Sequence, residues 1–360
     1  VLQQQVIKRK KDPNHEEKIP QDLVDQLIDL YNSRKFNETA QKASLLLKSY
    51  PRSDALWNIL GGTYNFMKKF DMALDCYQRA TQLKPNLPDN YFNIAVILNE
   101  KGNIDDAIVQ YKRVLKIDPS YFRAHLNIGN IFHLKGDFPK AIKSYEAVIK
   151  INPEYIQAYF NLAEALKKSR KTKLAINAYN KIIEKDPSAY YAFHNLGTLY
   201  LDSNDLEKSI ENCIKTIDCN PEFPEAHFNL AIGLQRIGKL DSAVESLKQA
   251  IILKPDYADA MNNLGNIYQL KGNPQEAIRY FEKSLEINPE LAPARANLIE
   301  ILKVSGLVDL KFNNPIIRID QKIRTDLEMP KTRSIIGDVF IPNIITAIKS
   351  IPPDILKSQD

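Results

Sequence analysis

The chain has 360 residues, of which 44% are hydrophobic and 26% charged, proportions that are ordinary for a folded protein. Lysine and arginine number 49 against 44 acidic residues, and a net charge of +5 over this length does not indicate nucleic-acid binding. Three cysteines do not indicate a disulfide framework, and no stretch approaches the roughly 20 consecutive apolar residues of a membrane span. We therefore expect a cytoplasmic protein that neither binds nucleic acid nor crosses a membrane.

The N-terminal part of the chain predicts a tail followed by one helix pair. Residues 1–19 include a basic run, and we expect them to form a flexible tail. Residues 20–53 contain two apolar stripes with helical spacing, one around Leu27 and one around Ala43, and Pro51 closes the second stripe. These features predict a divergent copy of the helix pairs that follow, as expected at the end of a repeat array.

Residues 54–291 divide into seven contiguous units of 34 residues without an insertion or deletion. The units are 54–87, 88–121, 122–155, 156–189, 190–223, 224–257 and 258–291. A period of this size predicts stacked helix pairs in which each unit buries its apolar face against its neighbours. In the first unit the small residues Gly61 and Ala73 let the two helices approach closely, and Pro85 ends the second helix. Glycines such as Gly102 end the first helix of several units.

Eight positions of the first unit carry the signature of the repeat. They are Trp57, Leu60, Gly61, Tyr64, Ala73, Tyr77, Ala80 and Pro85. This pattern resembles the tetratricopeptide repeat (TPR) family over residues 54–291. The resemblance implies an all-α fold, a right-handed superhelical solenoid of antiparallel helix pairs whose first helices line an inner groove. Residues 292–305 continue the register and predict a C-terminal capping helix. Residues 306–360, which contain proline and isoleucine, predict an extension or the start of a truncated domain.

One asparagine occupies the sixth position of the first helix in the second to seventh units and the equivalent position of the capping helix 292–305. We call this row the asparagine ladder; it comprises Asn93, Asn127, Asn161, Asn195, Asn229, Asn263 and Asn297. The preceding position carries an apolar or aromatic strip that includes Phe92, Phe160, His194 and Phe228. An amide both donates and accepts hydrogen bonds, so the ladder predicts contact with the backbone of an extended polypeptide, with the strip taking side chains. The ladder resembles the one in O-linked N-acetylglucosamine transferase, where it holds the backbone of the protein substrate.

Two other interpretations of the ladder stay open, since these asparagines also fit a family inheritance or hydrogen bonds within the scaffold. The chain shows no zinc, calcium, phosphate-loop or nucleophile motif, and the spacing of His125 and His227 predicts packing residues. We therefore expect no catalysis, no metal and no cofactor. The leading hypothesis is a protein-interaction scaffold that binds a polypeptide partner. The alternative is the substrate-recognition arm of a larger enzyme, a glycosyltransferase or another transferase or oxygenase, whose catalytic domain is absent from this chain.

Overall fold

A computed structural model describes residues 19–305, and within them the chain forms seventeen α-helices and no strand. The helices are α1 (Gln21–Asn32), α2 (Phe36–Ser49), α3 (Asp54–Phe66), α4 (Phe70–Leu83), α5 (Pro88–Glu100), α6 (Ile104–Ile117), α7 (Phe122–Leu134), α8 (Phe138–Ile151), α9 (Ile156–Lys168), α10 (Thr172–Lys185), α11 (Tyr190–Asp202), α12 (Leu206–Cys219), α13 (Pro224–Arg236), α14 (Leu240–Leu253), α15 (Ala258–Leu270), α16 (Pro274–Ile287) and α17 (Ala292–Ser305). The predicted all-α repeat fold is confirmed. The predictions for most of the N-terminal tail and for residues 306–360 lie outside the described residues.

The turn inside each helix pair follows one geometry, with a left-handed residue at the same place in the repeat. Glycine supplies it at four places, with φ angles between 73° and 82°: Gly102, Gly136, Gly238 and Gly272. Four other residues adopt the same conformation with φ angles of 57–60°: Arg34, Lys68, Arg170 and Asn204. Because Arg34 lies 34 positions before Lys68, the pair α1–α2 has the same turn, in the same register, as the pairs that follow it.

The structure divides after Ala178, inside α10, into two compact units. In the N-terminal unit each second helix packs against the first helix of the next pair, and the first helices α1 and α3 also touch, as do α7 and α9. Small residues permit close packing between the two helices of each pair. A Cβ atom added to Gly129 would lie 2.6 Å from the ring of Tyr145, so only glycine leaves room for the ring in its present position.

The C-terminal unit, which includes α11–α17, uses the same packing, with a group of polar side chains buried on α12. Ser209, Cys213 and Thr216 are buried on α12, where most other repeats carry alanine, an aromatic residue and an aliphatic residue. The hydroxyl of Ser209 donates to the carbonyl of Gly197 over 2.9 Å, and the Thr216 hydroxyl donates to the carbonyl of Asn212 over 2.8 Å. These bonds satisfy the buried hydroxyls and allow a polar core at this joint.

Candidate functional site

All seven asparagines of the ladder lie on the first helices of successive repeats, and all seven are half-buried. Asn93, Asn127 and Asn161 belong to the N-terminal unit, and Asn195, Asn229, Asn263 and Asn297 belong to the C-terminal unit. Because the register of 34 residues is constant, each ladder asparagine lies on the same face of the first helix of its repeat.

In the N-terminal unit two ladder asparagines, Asn127 and Asn161, donate hydrogen bonds to side chains of the preceding repeat. The Nδ2 atom of Asn127 donates to the Tyr111 hydroxyl over 2.9 Å, and Nδ2 of Asn161 donates to Oδ1 of Asn130 over 3.2 Å. The Tyr145 hydroxyl donates to that same Oδ1 over 2.9 Å. Burial raises the pKa of Tyr111 and of Tyr145 to about 12, so both hydroxyls stay protonated at neutral pH.

The C-terminal unit repeats this arrangement with different partners. Nδ2 of Asn229 donates to the Thr198 hydroxyl over 3.2 Å. Nδ2 of Asn297 donates to Oδ1 of Asn266 over 2.8 Å and to Oδ1 of Asn262 over 3.0 Å. As with Asn161 in the other unit, the partner lies 31 residues earlier, at the ninth position of the preceding repeat. Asn195 differs from these three asparagines, because its Nδ2 donates to the carbonyl of Tyr191 one turn earlier in the same helix.

The ladder therefore presents acceptors more than donors. In Asn297 the NH₂ group makes two hydrogen bonds within the chain and in Asn127 and Asn229 it makes one, whereas Oδ1 of all three accepts no hydrogen bond from the described residues and is not buried. The amides are less free than the sequence predicts, because five of the seven already donate to the scaffold. Asn161 is more fully engaged, since its Oδ1 also accepts from Nε2 of Gln157 over 2.9 Å.

The aromatic strip packs against the aromatic residue that ends its own repeat. The ring of Phe92 lies 5.2 Å from that of Tyr121, and the ring of Phe228 lies 5.0 Å from that of Tyr257. In each pair the partner follows 29 residues later, just before the next first helix. Contacts of this kind stabilise the junction between repeats and leave the rings half-buried. His194 follows the same rule, with its ring 4.9 Å from that of Phe223, while Phe160 is also half-buried.

Sequence reasoning missed the ninth position of the first helix, which holds the ladder partners Asn130, Thr198 and Asn266. Their signal was present, because each lies three residues after a ladder asparagine on the same helical face. The predicted packing histidines, His125 and His227, each contact the backbone of the chain that precedes their helix. Nε2 of His125 lies 3.2 Å from the carbonyl of Pro119, and His227 makes the equivalent contact with Pro221. They join each first helix to the proline that precedes it, as the Trp57 indole does with Pro51.

Neither a metal site nor a membrane helix is found in the part of the chain that the structure describes. Within residues 19–305, no group of three or more His, Cys, Asp or Glu side chains is placed to hold a metal ion. None of the helices in that range has the length and apolar composition needed to cross a bilayer.

The repeats match known families along most of their length. The family described as TPR repeat matches residues 96–136, 129–169 and 236–272. Families described as Tetratricopeptide repeat match residues 55–87, 258–291, 178–211 and 157–189. Taken together the matches cover more than half of the chain, and it is therefore a tetratricopeptide-repeat protein. No curated protein matches it.

Solved structures share this architecture. The C-terminal part of a TPR repeat-containing protein from Cytophaga hutchinsonii has a TM-score of 0.53 and 17% identity, over 76% of this chain and 99% of that chain. The MamA protein has a TM-score of 0.44 and 26% identity, over 48% of this chain and 93% of that chain. YrrB, described as a TPR protein with an unusual peptide-binding site, has a TM-score of 0.44 and 20% identity, over 51% of this chain and 95% of that chain. The first of these supports the fold, and a shared fold does not by itself assign a function.

Proposed function

We propose that this protein is an interaction scaffold that binds a polypeptide through the asparagine ladder, with the ladder's Oδ1 atoms accepting hydrogen bonds from backbone N–H groups of the ligand. The observation that supports the proposal is that Asn127, Asn229 and Asn297 each donate within the chain through Nδ2, while their Oδ1 atoms accept no hydrogen bond from the described residues. A half-buried polar atom without a partner gains from a ligand that supplies one.

The internal hydrogen bonds make the ladder a better acceptor. A free asparagine side chain rotates and loses entropy when a ligand fixes it. The bond from Nδ2 of Asn229 to Thr198 holds the amide in one orientation before any ligand arrives. Such preorganisation lowers the entropic cost of binding and favours a ligand that donates hydrogen bonds at regular intervals. An extended polypeptide has this property, because its backbone carries one N–H per residue other than proline.

Selectivity for side chains would come from the half-buried rings beside the ladder. Phe92 and Phe228 each pack against the tyrosine that ends their own repeat, Tyr121 and Tyr257. Their remaining surface suits apolar side chains of the ligand, so the preferred polypeptide carries such residues at intervals. The likeness of the ladder to that of O-linked N-acetylglucosamine transferase also supports a polypeptide backbone as the ligand.

A paired pull-down from native lysate tests the proposal in each compact unit. One variant carries Asn93, Asn127 and Asn161 changed to alanine, and a second carries Asn229, Asn263 and Asn297 changed to alanine. The control carries alanine at Asn177 and Asn180, which are exposed on the second helix of a repeat, away from the ladder. We expect proteins that are retained by the parent and the control and lost from at least one ladder variant. Equal retention by all four proteins would contradict a role for the ladder in binding.

A further inference from the structure

A second surface in the N-terminal unit departs from the repeat pattern in a way that favours binding. An open groove of about 590 Å³ lies between α2, the end of α3 and the start of α4. Its α2 wall runs from Asn37 to Lys48, three turns of helix or roughly 16 Å. The groove is on the second-helix side of the repeats and contains no residue of the asparagine ladder.

The floor of the groove exists because one side chain is small. Ala40 lies at a position where all seven following repeats carry a large aliphatic residue. Those residues are Leu74, Ile108, Ile142, Ile176, Ile210, Val244 and Ile278. In several repeats this side chain is buried, as in Ile108 and Ile142, and it fills the space beside the second helix. At Ala40 the space is open, and it can receive a large side chain from another molecule.

The edges of the groove are apolar where the other repeats are mostly polar. Leu45 is 63% exposed and Met72 is 45% exposed. The positions equivalent to Leu45 hold Arg79, Arg113, Ala147, Lys181, Lys215, Gln249 and Lys283. The positions equivalent to Met72 in the six following repeats hold Asp106, Lys140, Leu174, Lys208, Ser242 and Glu276. Leu45 and Met72 thus give the groove an apolar edge that a partner with an apolar face can cover.

The charges at the groove indicate the chemistry of that partner. Lys48 and Lys69 both line it, and neither forms an ion pair with the described residues. The nearby carboxylates of Glu38 and Asp71 are paired elsewhere, with Lys35 and Lys101 respectively. A ligand with carboxylates beside an apolar face would therefore complement both the lysines and the floor.

We propose that this groove binds an amphipathic helix of a partner protein whose apolar face is flanked by acidic residues. A helix satisfies its own backbone hydrogen bonds and presents only side chains to the groove, and the small residues Ala40 and Ser44 allow close approach to α2. The apolar side chains of the partner enter the space at Ala40, and its carboxylates meet Lys48 and Lys69.

The test is a selection of displayed random peptides of roughly sixteen residues, a length that spans the α2 wall. The full chain is the target. Counter-targets are Ala40→Ile, which fills the groove with the side chain that other repeats carry, and Leu74→Ile, a control at the same position of the next repeat. Because isoleucine occurs at this position in five other repeats, we expect Ala40→Ile to fold, and its circular dichroism checks this.

We expect the selected peptides to combine helical apolar spacing with acidic residues. They should bind Ala40→Ile about ten-fold or more weakly than the parent, since a large apolar side chain loses its pocket, and should bind Leu74→Ile unchanged. Changing Lys48 and Lys69 to glutamate should weaken the same peptides. Three results would each overturn the proposal: no peptide that distinguishes Ala40→Ile from the parent, selected peptides that are basic, or peptides that lose binding only when the asparagine ladder is changed to alanine.

Discussion

The most informative stability experiment concerns the pairing of small and large residues between the two helices of a repeat. In the C-terminal unit the eighth position of each first helix faces one side chain of the second helix. A Cβ added to Gly265 would lie 2.6 Å from the ring of Phe281, which is fully buried, whereas one added to Gly197 would lie 3.2 Å from Sγ of Cys213. We therefore expect Gly265→Ala and Gly197→Ala to differ although the chemical change is the same.

The expected magnitudes follow from two opposing effects. Replacing a helical glycine by alanine stabilises the helix by about 0.5–1 kcal/mol. Displacing a well-packed ring costs about 1–3 kcal/mol. Gly265→Ala should therefore lower the free energy of unfolding by about 1–2 kcal/mol, while Gly197→Ala should leave it unchanged or slightly raised. Tyr111 opposite Ala95 indicates that an aromatic ring and alanine can coexist when the ring turns, so the penalty reflects repacking and does not prevent folding.

Denaturation followed by helical circular dichroism measures both variants, and hydrogen exchange in α15 and α16 localises the change. The double variant Gly265→Ala with Phe281→Leu reproduces the Ala231 and Leu247 pair of the preceding repeat, and the smaller side chain should remove the clash with the new Cβ. Equal midpoints for Gly265→Ala and Gly197→Ala would refute the reasoning, because the packing difference would then carry no free energy.

For three further substitutions the structure predicts whether stability rises or falls. Asn90 is fully buried, its Oδ1 has no partner, and its Nδ2 makes one long hydrogen bond, 3.3 Å to the carbonyl of Lys84, at a position where most other repeats carry alanine. Asn90→Ala should therefore raise the thermal midpoint and add about 1 kcal/mol of stability, and a lower midpoint would show that the bond to Lys84 outweighs the unpartnered oxygen. Arg170 has a φ of 58°, so Arg170→Gly should stabilise by about 0.5–1 kcal/mol in urea denaturation, and a lower midpoint would contradict this. The hydrogen bond that Lys135 donates to Asp105 lowers the pKa of this carboxyl. The stabilising contribution of this pair is therefore present above about pH 4 and is lost as the pH falls through the lowered pKa. Asp105→Asn should therefore reduce the unfolding midpoint at neutral pH and leave it unchanged near about pH 2, and an equal reduction at both pH values would argue against the pair.

Much of the architecture was predictable because the same pattern of small, large and helix-ending residues recurs in seven repeats. The glycines that end the first helices adopt the left-handed conformation that their position predicted, as with Gly102 and Gly136. Arg170 adopts it too, although arginine does not favour this conformation, so only the 34-residue register identifies that position. The division after Ala178 could not be predicted, because it falls within a helix and the register continues through it.

The atomic roles within the ladder were not predictable from the pattern. The sequence places Asn161 and Asn229 on one face of their helices, and it does not predict whether Nδ2 or Oδ1 of each amide bonds to the scaffold. That choice depends on a partner 31 residues earlier, Asn130 or Thr198, and hence on the packing between repeats. The open groove at Ala40 is a different case. Its signal was in the sequence, as an alanine among large aliphatic residues, and comparing repeats position by position reveals it.

The central claim of this account is that the open Oδ1 atoms of the ladder accept the ligand's backbone N–H groups. The direct measurement is an amide-to-ester scan of a peptide taken from a protein that the ladder retains, with each N–H replaced in turn by an ester oxygen. We predict weaker binding by about two- to ten-fold at several spaced positions, the change expected for the loss of one hydrogen bond, and little change when the same substitutions are tested on the ladder variants. Equal affinity throughout the scan would contradict the claim, because the ladder would then contribute nothing to backbone recognition.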